Sequence, residues 1–268
     1  MAKKSPSKSP ANARQAKIQA ASTTTSGGAS KIVVAAVVMV VAIVAIVGAV
    51  IWQQQSATND IIGDGNATPG GVAMGAGFVA PSSATAPDGV PVLDVFEDFQ
   101  CPACAKLEAE LGETIKQLEA DGKVKVVYHI KNFLDDNLGN DSSTRAANAA
   151  FCADDAGQFQ AYHDAVYANQ PASEGQGWTA AQLTGFAESS GITGDALKTW
   201  TTCSENNKYV NYVNSVEEQS SKDGVTGTPT LKLDGETVSV QTIVDDPQSQ
   251  SWKYDPAKFE ALIATATQ

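Results

Sequence analysis

The order of apolar patterns predicts an α/β domain in which a β-α-β unit and a closing β-hairpin with its helix flank a long helical insertion. Three observations carry this reading. A strand-type run, a helix-type stripe and a second strand-type run follow one another between Val90 and Ile130. From about residue 141 to 223 the spacing is helical throughout, and after Gly224 strand patterns return. No internal repeat is visible.

The elements can be justified in order. Val90 to Phe99, VPVLDVFEDF, is apolar and aromatic and ends directly at Gln100, Cys101 and Pro102. Pro102 suits the first position of a helix, where its missing N–H costs nothing, and Leu107, Leu111, Ile115 and Leu118 paint one apolar stripe along that helix. Asp121 and Gly122 close it. Lys123 to Ile130 alternates through Val124, Val126 and Tyr128, so a strand arrives after the helix and pairs in parallel with the first. Ser142 or Ser143 caps a helix carrying Ala146, Ala149, Ala150 and Cys152, and Phe159, Tyr162, Val166 and Tyr167 form the next stripe. Further helices run through Leu183 and Phe186, through Leu197 and Trp200, and through Tyr209, Val213 and Val216. Thr230 to Leu233, a turn at Asp234 and Gly235, and Thr237 to Val240 read as a hairpin, and Pro256 to Ala264 as a closing helix.

Upstream the chain changes character three times. Residues 1–31 hold Lys3, Lys4, Lys8, Arg14, Lys17 and Lys31 with no acidic residue, among Ser, Thr, Pro and Ala, which is the composition of a disordered tail. Ile32 to Ile51 gives 20 uncharged apolar residues, enough helix to cross about 30 Å of hydrocarbon. Trp52 marks an interface, so residues 32–52 are expected to anchor the chain, the alternative being a cleaved signal peptide. With all early positive charge before the span, the tail is expected in the cytoplasm and the rest outside, as a single-pass protein of the cell membrane. The net charge of −12 then divides unevenly: beyond the span 12 Lys and Arg face 30 Asp and Glu. So acidic a surface argues against nucleic acid and against docking on anionic lipid. Residues 53–89, rich in Gly, Ala, Ser, Thr and Pro, read as a flexible tether, with an N-terminal edge strand within Val72 to Ala80 as the alternative. The domain proper is then 90–268.

Cys101-Pro102-Ala103-Cys104 places two thiols one helical turn apart, the first at a helix N-terminus. Unpaired backbone N–H groups and the helix dipole there favour a thiolate, which is the species that attacks a disulfide. Cys101 is thus the expected nucleophile, exposed to substrate, and Cys104 the thiol that closes the intramolecular disulfide and releases whatever Cys101 had joined. Zinc sites share the CxxC spacing but need four ligands. His129 and His163 are the only histidines, and Cys152 and Cys203 stand 51 positions apart, so no metal is expected and the chemistry needs no cofactor. Both histidines read as structural.

FEDFQCPACAKLE, Phe96 to Glu108, together with VTGTPTLKLDG, Val225 to Gly235, resembles the DsbA family of thioredoxin-like proteins, in particular the membrane-anchored forms of actinobacteria. The resemblance covers roughly Val90 to Gln268. It implies a thioredoxin-like fold with an inserted helical subdomain and catalysis of disulfide exchange in reduced or unfolded exported proteins. It implies further a cis proline at Pro229 facing the cysteines, a Thr228 backbone free to pair with extended substrate, and reoxidation by a membrane partner of VKOR or DsbB type. Some family members carry a second disulfide. In an oxidising compartment leftover cysteines pair, so Cys152 and Cys203 are expected to form a buried structural bond.

Two departures from the family bear on direction. Ala103 stands where strong oxidants of this family have His, and Val95 stands six residues before Cys101, where thioredoxin relatives often have an acid. Glu97 and Asp98 lie close enough in sequence to accept the Cys104 proton, the alternative being that both are merely solvated. An oxidase is the leading expectation, with a reductase or isomerase, or a non-catalytic thioredoxin-like binding module, as alternatives.

Overall fold

Along Lys125–Ile130 alternate residues bury, and along Val92–Glu97 Leu93, Val95 and Glu97 do so with Phe96 buried as well, so both segments turn a side to a core and pair through their backbones. The computed structural model describes residues 65–266 apart from 82, 84 and 85. Among these the strands are β1 (Phe78–Val79), β2 (Val92–Glu97), β3 (Lys125–Ile130), β4 (Thr230–Leu233) and β5 (Glu236–Thr237). They form one sheet in the order β1-β3-β2-β4-β5. β2 and β3 are parallel with Val95 opposite Tyr128, and β4 runs antiparallel to β2 with Thr230 opposite Phe96. The expected hairpin is shorter than its pattern, because Val240 leaves β5 for a 3-10 turn, Val240–Thr242.

α1 (Pro102–Ala120) follows β2 and buries Cys104, Leu107, Leu111, Ile115 and Leu118. Asp121 ends it. The insertion holds α2 (Phe133–Leu138), α3 (Ser142–Asp154), α4 (Phe159–Ala168), α5 (Ala180–Ser189), α6 (Gly194–Glu205) and α7 (Val210–Lys222), and α8 (Pro256–Ala266) closes the domain beside α1. The insertion therefore starts at 133 rather than about 141. FLDDNL has no room for a full apolar stripe, and its helix depends on contacts with α3. α3 is the axis of the insertion. Its Ala146, Ala147, Ala149, Ala150 and Ala153 are fully buried, and small side chains let α4, α6 and α7 pack around it.

The domain also begins earlier than residue 90, which corrects the reading of 53–89 as tether throughout. Phe78 and Val79 pair with Tyr128 and Val127 of β3, and Phe78 and Ala80 are buried. Tyr212 Oη donates to Ala76 O at 2.7 Å, and Gly75 N donates to Ser215 Oγ at 2.8 Å. A Cβ on Gly77 would overlap Val127 and His129, so glycine is what lets the strand approach β3. A two-residue strand shows no alternation, and its partners lie 48 or more positions away. The expected tail, the anchor Ile32 to Trp52 and residues 53–64 lie outside the described residues. Among the described residues no helix is long and apolar enough to cross a membrane.

Candidate active site

Cys101 occupies the N-cap of α1 and Pro102 its first turn, so the chain turns sharply from β2 into the helix, where Cys104 N and Ala105 N donate to Cys101 O at 3.1 and 3.2 Å. The turn is held from several directions. Cys101 N donates to Asp98 O at 2.9 Å, and Gln170 Nε2, after α4, donates to Phe99 O at 2.8 Å and to Cys101 O at 3.0 Å. The buried Gln100 side chain donates to Asp135 Oδ1, Asn140 Oδ1 and Ser143 Oγ of the insertion, each at 2.9 Å. The insertion thus grips the loop that presents the cysteines. Gln170 lies in no motif, and the Phe96 to Glu108 motif that contains Gln100 gives no sign of its role, since each acts through carbonyls or side chains far away in sequence.

Opposite Cys101 stands the loop before β4. The Thr228–Pro229 peptide is cis, and the Cys101 thiol donates to Thr228 O at 3.4 Å. This loop overhangs Cys101, so the cysteine expected to be exposed is 7 % exposed, and Cys104 is fully enclosed. The two sulfurs are unlinked, and their acidities diverge. The Cys104 thiol beside the Cys101 sulfur is the largest influence there and lowers its pKa. Burial opposes this, the Thr228 side chain and the N–H groups of Cys104 and Ala103 add to it, and the result is about 6. No histidine at position 103 is needed. Burial pushes the Cys104 thiol well above its ordinary value, and the hydrogen bond to Cys101 and the charge of Glu97 push it further.

Glu97 and Asp98 are both enclosed, which corrects the alternative that they are solvated. Asp98 accepts from Ser143 Oγ, from Gln100 N at 2.9 Å and from Leu134 N at 3.2 Å. Burial raises its carboxyl to about 7 against those bonds. Glu97 Oε2 lies 2.9 Å from His163 Nε2 of α4, and both side chains are enclosed. His129 stacks on Phe96 and pairs with Asp94 at 2.8 Å at the sheet surface. Glu97, Glu108 and His163 bring ligand-type atoms within 4.8 Å of one another. Burial and the Glu97 charge push the Glu108 carboxyl up, and against burial the contacts with Asp164 and Glu97 raise His163 to about 10. Cys152 of α3 and Cys203 of α6 are joined in a disulfide with Cα atoms 5.8 Å apart, buried within the insertion.

An acidic thiol at a helix N-terminus, a buried partner thiol one turn on and a cis proline opposite are the parts that thiol-disulfide exchange requires. The sequence matches the thioredoxin family over residues 85–253. Similar solved structures include oxidised DsbA of Mycobacterium tuberculosis, 27 % identical with a TM-score of 0.55 over 70 % of this chain and 91 % of that one. The reduced disulfide bond oxidoreductase DsbG of the same organism is 27 % identical with a TM-score of 0.53, over 66 % of this chain and 77 % of its own. MdbA, a thiol-disulfide oxidoreductase from Corynebacterium diphtheriae, is 20 % identical with a TM-score of 0.54 over 73 % and 95 %, a likeness of fold. No curated protein matches. The chain belongs to the thioredoxin-like thiol-disulfide oxidoreductases of DsbA type.

Proposed function

We propose that this oxidoreductase is an extracytoplasmic oxidase that donates a Cys101–Cys104 disulfide to reduced exported proteins. A substrate thiolate attacks the Cys101 sulfur, the Cys101–Cys104 bond breaks and Cys104 takes the electron pair. A second substrate thiolate then attacks the mixed disulfide and expels Cys101 as its thiolate. The observation that carries this direction is the Cys101 acidity near 6. A thiol that ionises easily leaves easily, and a stabilised thiolate stabilises the reduced enzyme, which makes the disulfide a good donor.

The substrate is held by Thr228 and Pro229. Thr228 N–H has no hydrogen-bond partner among the described residues and sits beside Cys101, where an extended segment adds as a strand. A cavity of about 210 Å³ next to Pro229, lined by Leu107, Leu231, Val238, Ile243 and Tyr254 among others, takes an apolar side chain of that segment. Cys152–Cys203 stays out of the exchange. Reoxidation falls to a membrane partner of VKOR or DsbB type, which the apolar run Ile32 to Ile51 brings within reach by anchoring the chain. The test is the redox state of Cys101 and Cys104 trapped in the cell, together with their equilibrium against glutathione. A pair held mainly oxidised, with an oxidising potential, supports the reading; a pair held mainly reduced makes the protein a reductase or isomerase. External protease on intact cells should digest the domain, and full-length protein recovered from the cytosol would sink the location.

A further inference from the structure

Among the described residues Lys131 is the one lysine with no exposure, and exchange at the cysteines leaves it unused. An ammonium in the core is costly unless its protons find acceptors. Lys131 Nζ donates to Glu217 Oε1 of α7 and to Val225 O, each at 3.1 Å, and lies 5.7 Å from the centre of the Phe133 ring. Glu217 is half-buried and accepts in addition from Ser221 Oγ at 3.0 Å. Lys131 follows β3 directly, and its own N–H donates to Glu97 O at 2.6 Å, which fixes it to the end of β2. The side chain therefore joins the sheet, the insertion and the start of the loop that leads to Pro229.

That loop has few other ties. Gly224, at φ +78°, ends the turn after α7, and nothing stands within 4 Å of where a Cβ on Gly227 would be. Thr226 is exposed. Before Thr228 the fastenings are Gly224 N to Ser221 O at 3.1 Å, Val225 N to Ser220 O at 2.9 Å and Lys131 Nζ to Val225 O. Beyond it Thr230 Oγ1 donates back to Gly227 O at 2.8 Å. Val225 is buried, and its carbonyl has no other donor among the described residues, so without the lysine a backbone acceptor would be orphaned in the core.

We propose that Lys131 is a positioning residue for substrate: through Val225 O it sets where Thr228 and Pro229 stand over Cys101, and Glu217 holds its ammonium on that carbonyl. This rests on the reading that Thr228 and Pro229 hold an extended segment of substrate. Only Thr226 and Gly227 lie between Val225 and Thr228, so a displaced Val225 carries Thr228 with it. Thr228 O in turn accepts from the Cys101 thiol at 3.4 Å, which places the unpaired Thr228 N–H at the distance from the sulfur that a bound segment must match. A buried ion pair is a poor device for stability alone, since packed apolar residues of the same volume serve as well or better. What it adds is geometry. An apolar side chain fills the space and leaves the carbonyl free to turn, whereas an ammonium fixed by Glu217 accepts the carbonyl in one place.

The experiment reacts the full chain, oxidised, with a reduced two-cysteine peptide and, separately, with dithiothreitol, which is too small to add as a strand. Single turnovers over a range of peptide concentration give the half-saturation point and the limiting rate. In Lys131→Met, which keeps the volume, half-saturation by peptide should rise about 10-fold, the scale of one hydrogen bond lost from the bound segment, with the limiting rate within about twofold. The dithiothreitol rate should stay as in the wild type. Glu217→Ala frees the lysine without removing it, should raise half-saturation by a smaller factor, and serves if the first variant does not fold. A lysine that only stabilises the fold would lower the melting temperature and leave both reactions of the folded chain unchanged, and that result in the folded variants overturns the proposal. So does an equal slowing with peptide and dithiothreitol, which places the fault at the cysteines. A wild type whose rate rises in proportion to peptide without saturating overturns the reading of Thr228 and Pro229, and the role of Lys131 with it; a wild type that saturates beside unchanged variants overturns Lys131 alone.

Discussion

Cys101 and Cys104 are the same residue type three positions apart, and the fold drives their acidities in opposite directions. The helix N-terminus, visible in the sequence as a strand running into Cys-Pro, supplies part of the difference. Most of the rest comes from the hydrogen bond of the Cys104 thiol to the Cys101 sulfur and from the burial of Cys104, with Thr228, 127 positions away, adding to it. The split has a consequence for stability. Cys101 titrates near 6 in the folded reduced chain against an ordinary value of 9.0. Its ionisation therefore stabilises the reduced fold fully above about pH 9, and that contribution is lost as pH falls through about 6. The oxidised fold has no such group. The stability of the reduced form minus that of the oxidised form should rise from about pH 6 to about pH 9, read from urea melts of both. A difference that does not change with pH would refute the lowered acidity.

Among the elements, the short strand β1 shows how a segment without a pattern joins a fold. Phe78 sits 4.6 Å from Phe159 and 5.5 Å from Phe151, ring centre to ring centre, and so ties the N-terminal segment to α3 and α4 as well as to β3. Phe78→Ala should cost about 3–5 kcal/mol of stability, the range for losing a buried aromatic ring. Calorimetric or denaturant melts measure it, and the Cys101 titration should not move, because the strand lies on the far side of β3 from β2. A loss under about 1 kcal/mol would return these residues to the role of tether. The loop from β2 into α1 is the opposite case. Its sequence announced a turn, but Gln100, Asp98 and Gln170 hold it through hydrogen bonds to the insertion, a scaffold that the Cys-Pro motif does not reveal.

At the scale of the whole molecule, the insertion is fastened by Cys152 and Cys203 across 51 residues of chain. Replacing both by Ser should lower stability by about 4 kcal/mol in the chain-entropy model, by freeing a loop of that length in the unfolded state. Exchange at Cys101 should be nearly unchanged, because the bond joins α3 to α6 at Cys152, whereas α3 meets the CxxC loop at Ser143, nine positions earlier. Melting and insulin reduction of the double variant test both halves; activity lost together with this disulfide would overturn the division into one exchanging and one structural pair.

Local chemistry was legible in the residues themselves. Period-2 and period-3.6 apolar patterns marked the long elements, because a strand or helix that buries one face must repeat at its own period. The CxxC at a strand-to-helix junction marked the two thiols, and the resemblance to a known family pointed to Thr228 and Pro229. The structure decided what depends on residues distant in the chain: the pairing of Phe78 and Val79, the burial of Cys101 under Thr228, and the meeting of Glu97, Glu108 and His163 beside Cys104. Periodicity reports which face of an element is buried. It carries no information about which other element covers that face, and the acidity of a thiol or carboxyl is set by that cover.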